Sequence, residues 1–155
     1  MTDVYVARQP IFDNEMRIAG YELLYRSGAE SSRADGASDE QMTGDVLVHA
    51  FLGIGIDRMT EGTPCFVTLP QSMILDEHYT LLDPRKVIIE VLESVACTPE
   101  TEAALERMAA HGYRIALDDF ELLPERLPLL RFADVVKIDV LDKSSEELKR
   151  VVETL

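Results

Sequence analysis

The sequence has no tryptophan, only two cysteines and few aromatic residues, and its 15 lysines and arginines are outnumbered by 29 acids. Each shortage excludes something. Cys65 and Cys97 lack metal-type spacing, so they build neither a disulfide framework nor a thiolate zinc site and fit thiols kept reduced in the cytoplasm. A net charge of −14 repels nucleic-acid backbones and anionic membranes. A phosphate ligand is then left to a few clustered cations or a bound divalent metal. No apolar run approaches a membrane span, and Met1-Thr2-Asp3-Val4-Tyr5 lacks the basic and apolar parts of a signal peptide. His49, His78 and His111 are too scattered to be zinc ligands and read as surface or packing residues.

What is present is apolar in short runs. With 46% hydrophobic residues in 155, the chain can bury a sizeable core and fits one domain. Val4-Tyr5-Val6-Ala7 to Pro10-Ile11-Phe12 and Met16 to Arg26, joined by Asp13-Asn14-Glu15, predict an antiparallel hairpin. Residues 27–41, rich in Ser, Ala, Gly and acids, read as a surface loop. Val46, Leu47, Ala50, Phe51 and Ile54 recur at helical spacing, with Gly53 and Gly55 near the expected end. A strand over Cys65-Phe66-Val67-Thr68-Leu69 and a helical segment from Gln71 to Leu82 follow, and Pro84 separates these from a strand ending at Glu93. Thr98 caps the clearest helix, Pro99 suits its first turn, Leu105, Met108 and Ala109 form its apolar stripe, and Gly112 ends it. Then come a strand ending at Asp118-Asp119, a short Pro-bounded helix, a strand containing Lys137, and a helix opened by Ser144-Ser145-Glu146-Glu147.

Strands alternating with helices, and near-continuous apolar strands such as Val87 to Leu92, make the class α/β with parallel strands covered by helices. No glycine-rich phosphate fingerprint follows a strand, so a barrel is the better expectation than a dinucleotide-binding sheet. An eight-stranded barrel needs roughly 250 residues, and this chain supplies about six strands. The expected architecture is an incomplete TIM-type (β/α) barrel with an N-terminal antiparallel hairpin. Its open edges stay exposed or are covered by a partner such as a second copy.

One residue argues for a site. Lys137 lies within Ala133-Asp134-Val135-Val136-Lys137-Ile138-Asp139-Val140, and an ammonium in a strand-like apolar run is costly unless carboxylates face it. Adjacent parallel strands would gather Glu93, Asp118, Asp119 and Lys137 at their chain-terminal ends. Other readings stay open: Asp118 and Asp119 could cap a helix, Lys137 could pair with Asp139, and Glu22 could be an exposed hairpin residue.

These residues also form a recognisable pattern. Tyr21-Glu22-Leu23-Leu24-Tyr25-Arg26 resembles the Glu-Ala-Leu-x-Arg signature of EAL domains, with Leu23 in place of alanine. Ile89-Glu90-Val91-Leu92-Glu93 is similar to that family's Glu-x-Thr-Glu segment, Ala116-Leu117-Asp118-Asp119-Phe120 to its Asp-Asp-Phe motif, and Val136-Lys137-Ile138-Asp139 to its Lys-Ile-Asp motif. Ala7-Arg8-Gln9-Pro10-Ile11-Phe12 through Gly20-Tyr21-Glu22-Leu23-Leu24 looks most like the branch in which an HDOD domain follows. The resemblance makes residues 1–155 a partial EAL-like domain, about the first two-thirds of the barrel. It implies cyclic di-GMP as ligand and, in active members, hydrolysis with Mg²⁺ or Mn²⁺. On that mapping Glu22, Glu93 and Asp118 hold metal, Asp119 holds a second ion, Lys137 orients or activates the water as the catalytic residue, and Arg26 touches the ligand's phosphate.

Departures weigh equally. Thr68 stands where active members place a metal-binding asparagine, and it offers no amide carbonyl; it reads most simply as a strand residue. Glu121-Leu122-Leu123-Pro124 replaces the family's Gly-x-Gly loop, and the later glutamate and glutamine ligands would lie past Leu155. The expectation is therefore a degenerate, regulatory EAL-like domain in cytoplasmic cyclic di-GMP signalling. It would bind the nucleotide or a signalling protein partner without turnover. The alternative is a metal-dependent phosphodiesterase in a full-length parent, and a third reading is a structural fragment kept soluble by its acids.

Overall fold

The computed structural model describes residues 5–26, 55–141 and 143–155, the side chains of residues 5, 6, 25 and 26 aside. Among the described residues six strands form one sheet in sequence order: β1 (Tyr5–Phe12), β2 (Ile18–Arg26), β3 (Cys65–Leu69), β4 (Val87–Val91), β5 (Arg114–Leu117) and β6 (Val135–Val136). β1 runs antiparallel to β2, and every later neighbour is parallel. Right-handed strand twist curls such a sheet, and the result is an open, incomplete barrel headed by a hairpin, as the sequence implies. The hairpin turn is held by Asp13, whose carboxylate accepts the Glu15 and Arg17 backbone N–H groups, both at 2.9 Å.

Four α-helices are described: α1 (Ile56–Thr60), α2 (Gln71–Leu75), α3 (Pro99–Ala110) and α4 (Ser145–Thr154). 3₁₀ turns lie at His78–Leu81 and Leu127–Phe132. Residues 41–54, expected to be helical, lie outside the described residues. Gly55, expected near that helix's end, directly precedes α1 with φ +82°. The single helical segment expected from Gln71 to Leu82 is split at Glu77, which takes a left-handed φ of 58°. The break lets Tyr79 turn fully into the core, its ring edge-on to Tyr113 at 5.1 Å. In α3, Thr98 caps as expected, accepting the Thr101 N–H, and Gly112 stops the helix at φ +85°. Its buried stripe is Thr101, Ala104, Leu105 and Met108; Ala109, expected inward, is exposed. α4 opens on a complete Ser144/Glu147 capping box.

Strand alternation divides the packing. On the helix-covered face, Val67, Leu69, Val87, Ile89, Val91, Ile115 and Leu117 join Ile74, Leu105 and Met108 in the main core. On the opposite face, Phe66, Ile88 and Ala116 form a small apolar layer with Ile11 and Val135. Gly20 is required where β2 meets β3, because a Cβ there would come 2.7 Å from the Pro64 carbonyl oxygen.

Candidate functional site at the strand ends

The small inner layer sets up what lies above it. Side chains alternate along a strand, so the residue two past each inner apolar position returns to the same side. From Phe66 that residue is Thr68, from Ile88 it is Glu90, from Ala116 it is Asp118, and from Val135 it is Lys137. Glu22 follows Gly20 in the same way. The strand pairing brings these positions together, and Thr68 is paired directly with Glu90 across β3 and β4. β6 ends at Val136, but its pairing continues by hydrogen bond, with the Lys137 N–H donating to the Leu117 carbonyl at 2.9 Å. A polar layer thus caps an apolar one at the carboxyl ends of parallel strands.

Lys137 is the centre of that layer. Its ammonium lies 2.6 Å from Asp118 Oδ1, 2.8 Å from Glu90 Oε1 and 3.1 Å from Glu22 Oε2. Glu90 is fully buried, and its other oxygen accepts the Thr68 hydroxyl at 3.0 Å. Burial, reinforced by the charge of Glu22, pushes the Glu90 carboxyl up to about 7 even though Lys137 pulls against it. Burial also works against the charge on Lys137. Hydrogen bonds to Asp118 and Glu90, with the charges of Glu90 and Glu22, more than offset it, and the ammonium is held above its ordinary range. Cys65, in the main core on the helix-covered face, is fully buried, and its thiol is pushed up to about 12, by burial first and then by the charge of Glu90.

A hollow of about 610 Å³ opens beside this layer, lined among others by Glu93, Asp119, Glu121, Arg126, Asp139 and Lys143. Asp119 reaches it through a left-handed φ of 42°, and its carboxyl is pushed up by burial and then by the charges of Asp118, Glu93 and Asp139. Buried Arg126 donates to the carbonyls of Glu93 and Leu92 and lies over the Phe120 ring at 5.6 Å.

The structure therefore brings Glu22, Asp118 and Lys137 together and places Glu93 and Asp119 in the adjoining hollow. Asp139 is there too, rather than paired with Lys137. The carboxylate that joins Lys137 is Glu90, which sequence reasoning passed over in favour of Glu93. β4 stops at Val91, two residues short of Glu93, and by period-two counting Glu93 falls on the other side from Ile88 and Glu90. The missed signal was available: an acid inside a wholly buried strand demands partners as much as a lysine does. The Arg26 backbone ends β2, and its side chain lies outside the described residues.

Three carboxylates offer the hard oxygen donors that suit Mg²⁺ or Mn²⁺. Their arrangement here serves an ammonium instead. Among the described residues no group of three or more His, Cys, Asp or Glu side chains is placed to hold a metal ion. No helix among them is long and apolar enough to cross a membrane.

No family model matches the chain. It is 37% identical to the uncharacterized protein YuxH of Bacillus subtilis, over 97% of this chain and 38% of that protein. It is 31% identical to the cyclic di-GMP phosphodiesterase CdgJ of Vibrio cholerae, over 94% of this chain and 35% of that one. The chain thus spans well under half the length of these curated relatives. Among solved structures it resembles Klebsiella pneumoniae BlrP1 in a calcium and cyclic di-GMP complex, with a TM-score of 0.72 and 21% identity over 97% of this chain and 45% of that one. Bacillus subtilis YkuI, a protein with an EAL domain in complex with cyclic di-GMP and calcium, gives 0.72 and 20% over 98% and 45%. The EAL domain of Mycobacterium smegmatis DcpA gives 0.66 and 19% over 98% and 75%.

Proposed function

We propose that this chain, whose fold is EAL-domain-like, is a regulatory domain of cyclic di-GMP signalling that receives the nucleotide at the Lys137 mouth without hydrolysing it. The observation that carries this reading is the position of the Lys137 ammonium, within 2.6–3.1 Å of Glu22, Glu90 and Asp118. The centre shared by the three acids is filled by the protein's own cation. Thr68 in place of an amide, and the Glu121-Leu122-Leu123 loop in place of glycines, support it. Arg26 is assigned the ligand's phosphate, and an HDOD domain or signalling protein is the partner that reads the bound state. The free thiols Cys65 and Cys97 support a cytoplasmic setting.

A second reading, a metal-dependent phosphodiesterase in the full-length parent, is favoured by the 31% identity to the Vibrio cholerae protein that bears that name. On it, Glu22, Glu90 and Asp118 would hold Mg²⁺ or Mn²⁺, Asp119 would serve a second ion, and Lys137 would orient the attacking water. Such ions supply a nucleophile at neutral pH. Glu90 takes the part first given to Glu93.

Calorimetry of the full-length parent with cyclic di-GMP, run with and without Mn²⁺ and followed by separation of the products, decides between them. The regulatory reading expects heat of binding and intact nucleotide. Linear dinucleotide accumulating above a Glu22→Ala control establishes the second reading, and absence of heat at high micromolar nucleotide removes the first.

A further inference from the structure

We infer that Thr68 is a positioning residue for the mouth: its hydroxyl fixes the Glu90 carboxylate so that the opposite oxygen is delivered to Lys137. The inference deepens the proposed function and rests on its reading of the mouth as the ligand-receiving face.

Both oxygens of the Glu90 carboxylate are met by named donors. Thr68 and Glu90 are Cα partners across parallel strands, so their side chains rise together on one face. A β-branched threonine on a strand has few χ1 choices, which makes its hydroxyl a fixed donor. Glu90 is 0% exposed, so solvent cannot satisfy its oxygens. Oε1 is met by Lys137 at 2.8 Å and Oε2 by Thr68 at 3.0 Å. Removing the hydroxyl leaves Oε2 without the donor that the structure gives it, and a buried carboxylate in that state turns to seek another. Lys137 then loses its most buried acceptor. The exposed side of the ammonium would rest on Glu22 and Asp118 alone, both of which are partly open to solvent. Thr68 therefore acts through Glu90, and it decides whether the mouth is closed on its own cation or left with a loose lysine.

The test follows the ammonium itself. In the full chain labelled with ¹⁵N at lysine, and with no nucleotide or metal present, the Lys137 NH₃⁺ group is assigned by its absence in Lys137→Arg, and its solvent exchange is measured. Thr68→Val, which keeps the shape and β-branching, should speed that exchange about tenfold or broaden the signal away. Thr68→Ser should restore the wild-type rate. If Thr68→Val does not fold, Thr68→Ala carries the same arm. A lysine signal unchanged in the hydroxyl-free variant, whatever its melting temperature, overturns the inference. So does a Thr68→Ser protein that matches the hydroxyl-free one. A failure of cyclic di-GMP to bind would instead remove the proposed function and leave this result standing.

Discussion

At the scale of single residues, Glu90 is the group whose energetics are most exposed to test. Its folded pKa of about 7 lies above the ordinary value of 4.5, so the native protein holds this proton more tightly than the unfolded chain. The resulting stability is fully present below about pH 4.5 and is lost as pH rises through about 7. Glu90→Gln abolishes the titration. Urea unfolding in chelator at about pH 4.5 and about pH 7.5 should show wild type losing roughly 1–3 kcal/mol relative to Glu90→Gln on going up. A difference between the two proteins that is independent of pH contradicts this. The same residue shows how the site was partly legible. The cost of an ammonium in an apolar run marks Lys137, and with it the mouth. The same cost marks Glu90, an acid in an equally apolar run, as the partner that Glu93 is not.

At the scale of elements, local signals proved dependable where they depend only on near neighbours along the chain. The Thr98 cap, Pro99 in the first turn and the Ser144/Glu147 box are all formed. Caps satisfy orphan N–H groups within a few residues, so tertiary context has little to add. Thr98→Ala should therefore cost about 1 kcal/mol in a thermal or denaturant melt. Which helix face is buried is another matter. Leu105→Ala should cost about 2–5 kcal/mol by opening a cavity in the main core. Ala109→Gln, at a position expected inward and found exposed, should stay within about 0.5 kcal/mol of wild type. A large loss from the latter would mean that α3 is rotated from the orientation described. The Gln71–Leu82 segment failed as one helix for a tertiary reason: Tyr79 reaches the core only if the backbone turns at Glu77.

At the scale of the whole molecule, the sheet is strong in the middle and weak at the hairpin. β4 is buried along its whole length, whereas every described side chain of β1, residues 7–12, is exposed or half-buried at an edge. Surface ion pairs such as Arg17 with Asp13 and Arg85 with Asp83 add little. Native-state hydrogen exchange should find the amides of β4 and β5 opening only with global unfolding, and those of β1 near Phe12 exchanging by local fraying. Protection at the hairpin equal to that of β4 would show that the edge is covered, by another part of the chain or by a second copy.

By itself the sequence determined the order of the strands, the parallel sheet behind an antiparallel hairpin, and the need for acids around Lys137. These follow from short-range periodicity and from the cost of a buried charge, both of which are local. Only the tertiary structure decided which acids answer that need. Membership depends on where β4 ends and which side of the sheet each residue takes, so Glu90 and Thr68 enter the mouth while Glu93 and Asp119 turn into the neighbouring hollow. A difference of one residue in phase reverses the side, and strand ends are set by the packing of the whole sheet.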